Sequence, residues 1–259
     1  MDFFAPLLAT FPVELLILAA LIMFVAGFVK GAVGFALPMV AVSGIGSLVP
    51  GAVAVAALML PALLTNVWQA LRDGPRNAWA SFQAFRGYVI LIVVVMGLVA
   101  PLVSVLPARV LFLVLGAGVT GFAAIQLAGW RPSAALARRR SAMVGSGILA
   151  GIFGGLAAVT GPPVVLYMLA RGVPKVEQVR IQGVIFLLGL CVVTLVHGAT
   201  GVLDEVTLPL SVLLILPAFA GMGLGLWVQD RMAQEAFRRA TLVVLVLAGL
   251  NLLRRGIMG

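Results

Sequence analysis

A single lysine stands in the middle of the run Gly27-Phe28-Val29-Lys30-Gly31-Ala32-Val33-Gly34-Phe35, with no carboxylate near it in sequence. It is the one Lys, Arg, Asp or Glu deep inside an apolar stretch of this chain. An ammonium in hydrocarbon costs several kcal/mol, roughly 2.5–3.5 on insertion scales. A bound anion would offset that cost. The competing reading is that Lys30 lies near a membrane surface and snorkels its ammonium toward the headgroups. The residues that follow, Gly31, Gly34, Phe35 and Pro38, mark a place where a helix is interrupted. Interrupted backbone turns amides toward a ligand, and a helix N-terminus there carries partial positive charge. The chemistry these residues suit is recognition of negative charge.

A second run has the same character. Gly155 precedes Thr160-Gly161-Pro162-Pro163, and Tyr167 follows it. Thr160 offers a hydroxyl, Gly161 allows close approach of backbone to a ligand, and Tyr167 carries a phenolic donor. Each has a plainer reading as well: a helix kink with the threonine bonded to its own backbone, and a tyrosine in an interfacial belt. Weaker candidates for a polar lining are Asn66 and Gln69, three apart on one helix face, and Gln182 and His197. Inside a span such groups more often hydrogen-bond a neighbouring helix. His197 is the one side chain able to titrate near neutral pH within a span, and it lies close to the end of its block. With one His, one Cys (Cys191) and no acidic pair inside the apolar blocks, no nucleophile-and-base set is visible. Neither a metal-ligand spacing nor a nucleotide-phosphate motif is present, so no cofactor and no metal are expected, and the chain does not read as an enzyme.

The elements that would position these residues follow from composition. Hydrophobic residues make up 63% of the 259 positions and charged residues 10%. Soluble domains carry about 25% charged residues, so this chain cannot cover a water-facing surface, and the lipid bilayer is its main partner. Eight apolar blocks are readable, near 13–47, 51–71, 87–106, 109–129, 142–170, 181–202, 207–228 and 240–253. The net charge of +9 comes from arginines gathered between blocks, as at Arg72, Arg76 and Arg86, or Arg138–Arg139–Arg140. That distribution is the positive-inside pattern and not a nucleic-acid-binding face. It places the chain in the cell inner membrane with its basic loops cytoplasmic. The start, Met1 to Pro12, has no positive region and does not read as a cleaved signal.

The two halves look duplicated. A shift of 124 residues lays Ala26-Gly27 on Ala150-Gly151, Gly31 on Gly155, Pro38 on Pro162 and Val49-Pro50 on Val173-Pro174, without a gap. The expected organisation is a first transmembrane repeat over 1–129, a basic cytoplasmic linker over 130–141, and a second repeat over 142–259. Block one is too long for one crossing, and Gly27, Gly31, Gly34 and Pro38 are expected to break it. Gly151, Gly154, Gly155, Gly161, Pro162 and Pro163 are expected to break block five in the same way. If each broken block returns to its starting side, stretches 72–86, 130–141, 171–180 and 229–239 all fall inside and all are basic. The acidic stretches, from Asp2 to Glu14 and Asp204-Glu205, then fall outside, although Arg254-Arg255 also ends there. Each half then makes an odd number of crossings, so the halves are inverted. The fold class expected is an all-α polytopic membrane protein of two inverted repeats, each a broken or re-entrant hairpin plus three transmembrane helices. Secondary transporters build midplane sites from such pairs of broken helices.

At these two glycine–proline segments the sequence resembles the sulfite exporter TauE/SafE family, also called the toluene-sulfonate uptake permease family. The segments are Ala26-Gly27 through Lys30-Gly31-Ala32-Val33-Gly34-Phe35-Ala36 with Pro38, and Ala150-Gly151-Ile152-Phe153-Gly154-Gly155 with Thr160-Gly161-Pro162-Pro163-Val164-Val165-Leu166-Tyr167. The resemblance covers essentially the whole chain. It implies an exporter or permease for small sulfur-containing anions such as sulfite, sulfoacetate or other organosulfonates. One departure stands out: Gly154 occupies the place in the second segment that corresponds to Lys30, so a symmetric pair of cationic anchors is absent. Two alternatives remain open, a permease for another organic anion and a membrane scaffold subunit without transport activity. Coupling to a proton or another ion, the direction of transport and the oligomeric state are not legible.

Overall fold

The computed structural model describes residues 2–100, 108–130, 134–157, 160–197 and 204–258, and the regular elements among them are helical. After a short 3-10 turn come α1 (Ala5–Thr10), α2 (Val13–Val33), α3 (Leu37–Ile45), α4 (Gly51–Leu71), α5 (Pro75–Val99) and α6 (Ala108–Leu127). Then follow α7 (Ala134–Ala137), α8 (Arg140–Ala157), α9 (Gly161–Ala170), α10 (Lys175–His197), α11 (Thr207–Leu213), α12 (Ile215–Arg231) and α13 (Gln234–Met258). By length and composition, α2, α4, α5, α13 and the continuous stretch Thr207–Arg231 can each cross a membrane. The chain is an all-α polytopic membrane protein.

Several helices run past the apolar blocks expected from the sequence. Connections expected over 72–86, 171–180 and 229–239 shrink to 72–74, 171–174 and 232–233. Local chemistry explains the early starts. Gly74 takes a positive φ of 93° directly before Pro75, and Gly172 takes 68° two residues before Pro174. Proline suits a helix's first turn because no amide is required there. The arginines at 76, 86 and 180 therefore lie on helices, not in loops. One helix is shorter than expected: the block 207–228 divides at Leu214. Pro217 has no amide to bond the Leu213 carbonyl, and its ring crowds that position. Ahead of α11, Asp204 accepts the Val206 and Thr207 amides at 2.9 and 2.7 Å, which holds its carboxyl below the usual range.

The breaks fall at narrower places than the glycines suggested. Gly27 and Gly31 lie inside α2, and Gly151, Gly154 and Gly155 lie inside α8. The first interruption is confined to 34–36, where Gly34 and Ala36 have φ of 89° and 78°. The second helix ends at Ala157 and resumes at Gly161. Gly27 and Gly31 act in packing instead. A side chain at Gly27 would overlap the Ala218 carbonyl, and one at Gly31 the Met222 carbonyl, both on α12. Reciprocally, Gly221 and Gly225 of α12 meet the Phe24 and Phe28 carbonyls of α2. Four-residue spacing puts each pair on one helix face, and the absent side chains let the two backbones touch. Sequence alone shows a small residue without showing what is across from it.

The bounds of the elements bear on the duplication. Adding 124 to those of α3 gives 161–169, against Gly161–Ala170 for α9, and adding it to those of α4 gives 175–195, against Lys175–His197 for α10.

Two compact units partition the chain: Met1–Trp68 with Gly198–Arg231, and Gln69–His197 with Met232–Gly259. The division falls inside α4. In the first unit α2 packs along α12, with α3 against α2. Trp68 and Phe219 add a ring contact at 5.0 Å. In the second unit α5 packs along α8 and α10, and α6 along α13. Its core gathers Tyr88, Ile92, Met96, Ala150, Val164 and Met168, among others. Gly151 and Gly155 of α8 sit against Val95 and Met96 of α5, and Gly116 of α6 against Gly249 and Leu253 of α13.

Candidate functional site

Lys30 lies in the last turn of α2 and is 3% exposed. Its position rests on the α2–α12 seam, since Gly27 and Gly31 turn the adjoining face to α12 and fix the helix rotation. The ammonium donates to Thr65 Oγ1 at 2.9 Å and to Asn66 Oδ1, both on α4. The Thr65 hydroxyl is oriented in turn by the carbonyls of Pro61, at 2.5 Å, and Ala62, at 3.2 Å. Pro61 lies inside α4, and the Thr65 hydroxyl one turn later bonds back to its carbonyl. Of the three ammonium protons, two are directed to neutral oxygens. Among the described residues no carboxylate pairs with Lys30. This is a charge held in place without being neutralised.

Gly34 closes α2, its amide donating to the Lys30 carbonyl at 2.7 Å. Phe35 and Ala36 are buried, and Pro38 enters the first turn of α3. The amides of Ala36, Leu37 and Met39 have no intrahelical partner at this start, and Pro38 has none to offer. The α3 N-terminus therefore follows Lys30 within the same unit. Gly31, also a candidate, faces α12 backbone at its Cα, as described above.

The second unit holds the other interruption. Thr160 is 9% exposed and stands directly before α9, where its side chain makes no capping bond. Gly154 borders it: a side chain there would meet Thr160 Oγ1 and the end of Met96. Gly161 opens α9, and Pro162 and Pro163 follow, both buried. Those two prolines remove two first-turn amides, leaving Thr160 and Gly161 to supply any. Gly155 packs on the Met96 carbonyl. Tyr167 is joined to other things than the break: its hydroxyl accepts from Arg171 at 3.1 Å, and its ring lies 4.6 Å from that of Tyr88.

The remaining candidates separate in the same way. Asn66 belongs with Lys30, whereas Gln69, three residues on, donates to the Val179 carbonyl at 2.8 Å in the second unit. Gln182 is fully buried, and neither its amide nitrogen nor its oxygen has a partner among the described residues. His197 ends α10, and its side chain lies outside the described residues.

Two groups went unnoticed in the sequence. Thr65 is the first, placed against Lys30 by a contact 35 residues long in sequence. Gln178 is the second: fully buried, one turn before Gln182, with both polar side-chain atoms unpartnered among the described residues. Leaving a buried carboxamide unbonded costs about 1–3 kcal/mol, so a pair of them on one face is a signal. The four-residue spacing was available, but Gln178 lies within a stretch that reads as a basic loop.

Comparison with curated proteins and with solved structures gave no match. Residues 19–252 match the family model described as Sulfite exporter TauE/SafE, a span that contains both interruptions and nearly all the helices. Its members are membrane transporters, and by this match the chain belongs to the TauE/SafE sulfite exporter family.

Proposed function

We propose that the chain is a secondary transporter of small sulfur-containing anions, such as sulfite, sulfoacetate or other organosulfonates, and that Lys30 supplies the charge that holds them. The observation that carries this reading is the buried ammonium bonded to Thr65 and Asn66 and to no carboxylate among the described residues. A salt bridge would cancel the field of the lysine. Neutral oxygens orient the ammonium, leave its charge uncompensated and leave one proton for a ligand. A negative solute completes the balance and lowers the cost of burying the charge. The amides at the start of α3 suit the oxygens of a sulfite or sulfonate group. Thr160 and Gly161 are proposed to offer a hydroxyl and an amide to an anion at the second interruption, within their own unit. Asn66 would line the site beside Lys30, and Gln178 and Gln182 are proposed as polar lining within the second unit.

The proposed architecture is two inverted repeats, 1–129 and 142–259, joined by a basic linker at 130–141. The agreement of α3 with α9 and of α4 with α10 under one shift supports it. Movement of one half against the other would give access from alternate sides. Basic connections favour an inner-membrane location with these ends cytoplasmic.

Asn66→Asp tests the central point with little change of shape, because it gives Lys30 a carboxylate. Sulfite and sulfoacetate affinity is expected to fall about 30-fold or more in this variant and in Lys30→Ala, the scale of losing one partner of a buried charge pair. Unchanged affinity in both variants removes Lys30 from the site. Equal affinity of the wild type for a sulfur-free carboxylate would widen the substrate class to organic anions generally.

A further inference from the structure

A groove of about 490 Å³ opens in the second unit between α6, α7, α8 and α9. Its walls include Gly118 and Phe122 of α6, Ala137 of α7, Leu149 and Phe153 of α8, and Tyr167 of α9. Its surface is almost wholly apolar. The hydroxyls in its wall are engaged: Ser146 with the Tyr88 hydroxyl at 2.9 Å and the Pro163 carbonyl at 3.1 Å, and Tyr167 accepting from Arg171 at 3.1 Å. Nothing in this groove asks for a polar ligand.

Two further features decide what fits. The lining of α8 runs from Ala142 to Phe153, a rise of about 16 Å, or roughly half the 30 Å hydrocarbon thickness of a bilayer. The groove is therefore about as long as one leaflet is thick. Its Ala137–Ala142 end is also the basic end of the unit. Arg138, Arg139 and Arg140 are exposed between the lining residues Ala137 and Ala142, and no carboxylate pairs with them among the described residues. Arg171 follows the lining residue Ala170, and its guanidinium lies 5.7 Å from the centre of the Tyr167 ring. Trp130, in edge contact with Phe122 at 5.8 Å, completes this end. An apolar slot about one leaflet long with guanidinium groups at its mouth matches a lipid with a negative headgroup.

We propose that this groove is a binding site for an acyl chain of an anionic phospholipid, with the headgroup held by Arg138, Arg139, Arg140 and Arg171. The site is separate from Lys30, Thr65 and Asn66, which lie in the other unit. It gives the chain a means of sensing the charge of the leaflet around it.

The test titrates the purified protein in detergent with dioleoyl phosphatidylglycerol and, separately, dioleoyl phosphatidylcholine. The readouts are the unfolding midpoint and the lipid retained in native mass spectrometry. Phosphatidylglycerol at about 100 times its dissociation constant is expected to raise the midpoint by roughly 5 °C more than phosphatidylcholine. Gly118→Leu fills the groove from a position where an added Cβ meets no protein atom within 4 Å. Leucine also favours a helix more than glycine does, so the lipid-free midpoint is expected to hold or rise. This variant is expected to retain about fivefold less phosphatidylglycerol and to lose its specific shift. The combined Arg138→Gln, Arg139→Gln, Arg140→Gln variant is expected to erase the difference between the two lipids. Equal shifts from both lipids in the wild type, or an undiminished phosphatidylglycerol shift in Gly118→Leu, overturn the proposal. A lipid-independent dimer that Gly118→Leu dissolves also overturns it, because a second copy would then occupy the groove.

Discussion

In one unit the interruption at Gly34–Ala36 follows a buried lysine; in the other, the position 124 residues after Lys30 is Gly154, crowded by Met96 and Thr160. The contrast continues through the break itself. Ala36 takes φ 78°, whereas Thr160, its counterpart under the same shift, takes φ −71°. The first helix start keeps the amides of Leu37 and Met39, while the second carries Gly161 and Pro163 at those places. Polar side chains are unmatched too. Thr65 and Asn66 correspond to Gly189 and Leu190, and Gln178 and Gln182 to Ala54 and Leu58. The two interruptions therefore carry two chemistries, a fixed cation with amides in the first unit and neutral dipoles in the second. A second buried ammonium would add its own desolvation cost.

The comparison is broken most readily at the helix seams. Alanine at Gly225 would overlap the Phe28 carbonyl and crowd the Ala32 amide at 2.8 Å, with backbone on both sides. Alanine at Gly151 would meet Val95 Cβ and Cγ1 at 2.6–2.7 Å and the Ile92 carbonyl at 2.9 Å, a milder overlap than the one at Gly225. Gly225→Ala is expected to destabilise by about 3 kcal/mol and Gly151→Ala by about 1 kcal/mol. Midpoints in detergent read the difference, and equal losses would mean that both seams are equally rigid.

A medium effect is expected from the carboxamides. Replacing Gln178 and Gln182 together with leucine removes unbonded polar atoms and should stabilise the anion-free protein by about 1–2 kcal/mol. The same change is expected to weaken sulfoacetate binding by roughly threefold to tenfold, about what a lost hydrogen bond or two contributes. Greater stability with unaltered binding would show that these groups do not reach the ligand.

The smallest effect sharpens the contrast at the break. Ala36→Gly relieves a left-handed conformation costing about 1–2 kcal/mol, against about 0.5–1 kcal/mol of extra chain entropy. The expected net gain is under about 1 kcal/mol, read as a rise in midpoint. A fall would contradict a left-handed Ala36.

Membrane class and the places of interruption were legible because composition and proline act locally. Pro38 and Pro162 lack the amide that would continue a preceding helix, and next to the glycines they mark a helix start. What stayed hidden depends on partners distant in sequence. The same residue type, glycine, ends α2 at Gly34 and packs it at Gly27 and Gly31, and only the carbonyls of Ala218 and Met222 distinguish the roles. Lys30 was visible as an anomaly, but the oxygens that hold it come from 35 and 36 residues away. Gln178 was lost for another reason: Lys175, Glu177 and Arg180 surround it with charge, so its stretch reads as a loop although it lies within α10.

The contact of α2 with α12 is carbonyl against α-carbon at four glycines, with no layer of side chains between. Rotamer changes, which let packed helices slide by small steps, have nothing to act on there. The two helices must therefore travel as a single lever, although one begins near the N-terminus and the other lies beyond residue 214. A displacement of α12 is therefore expected to carry the end of α2, and Lys30 with it.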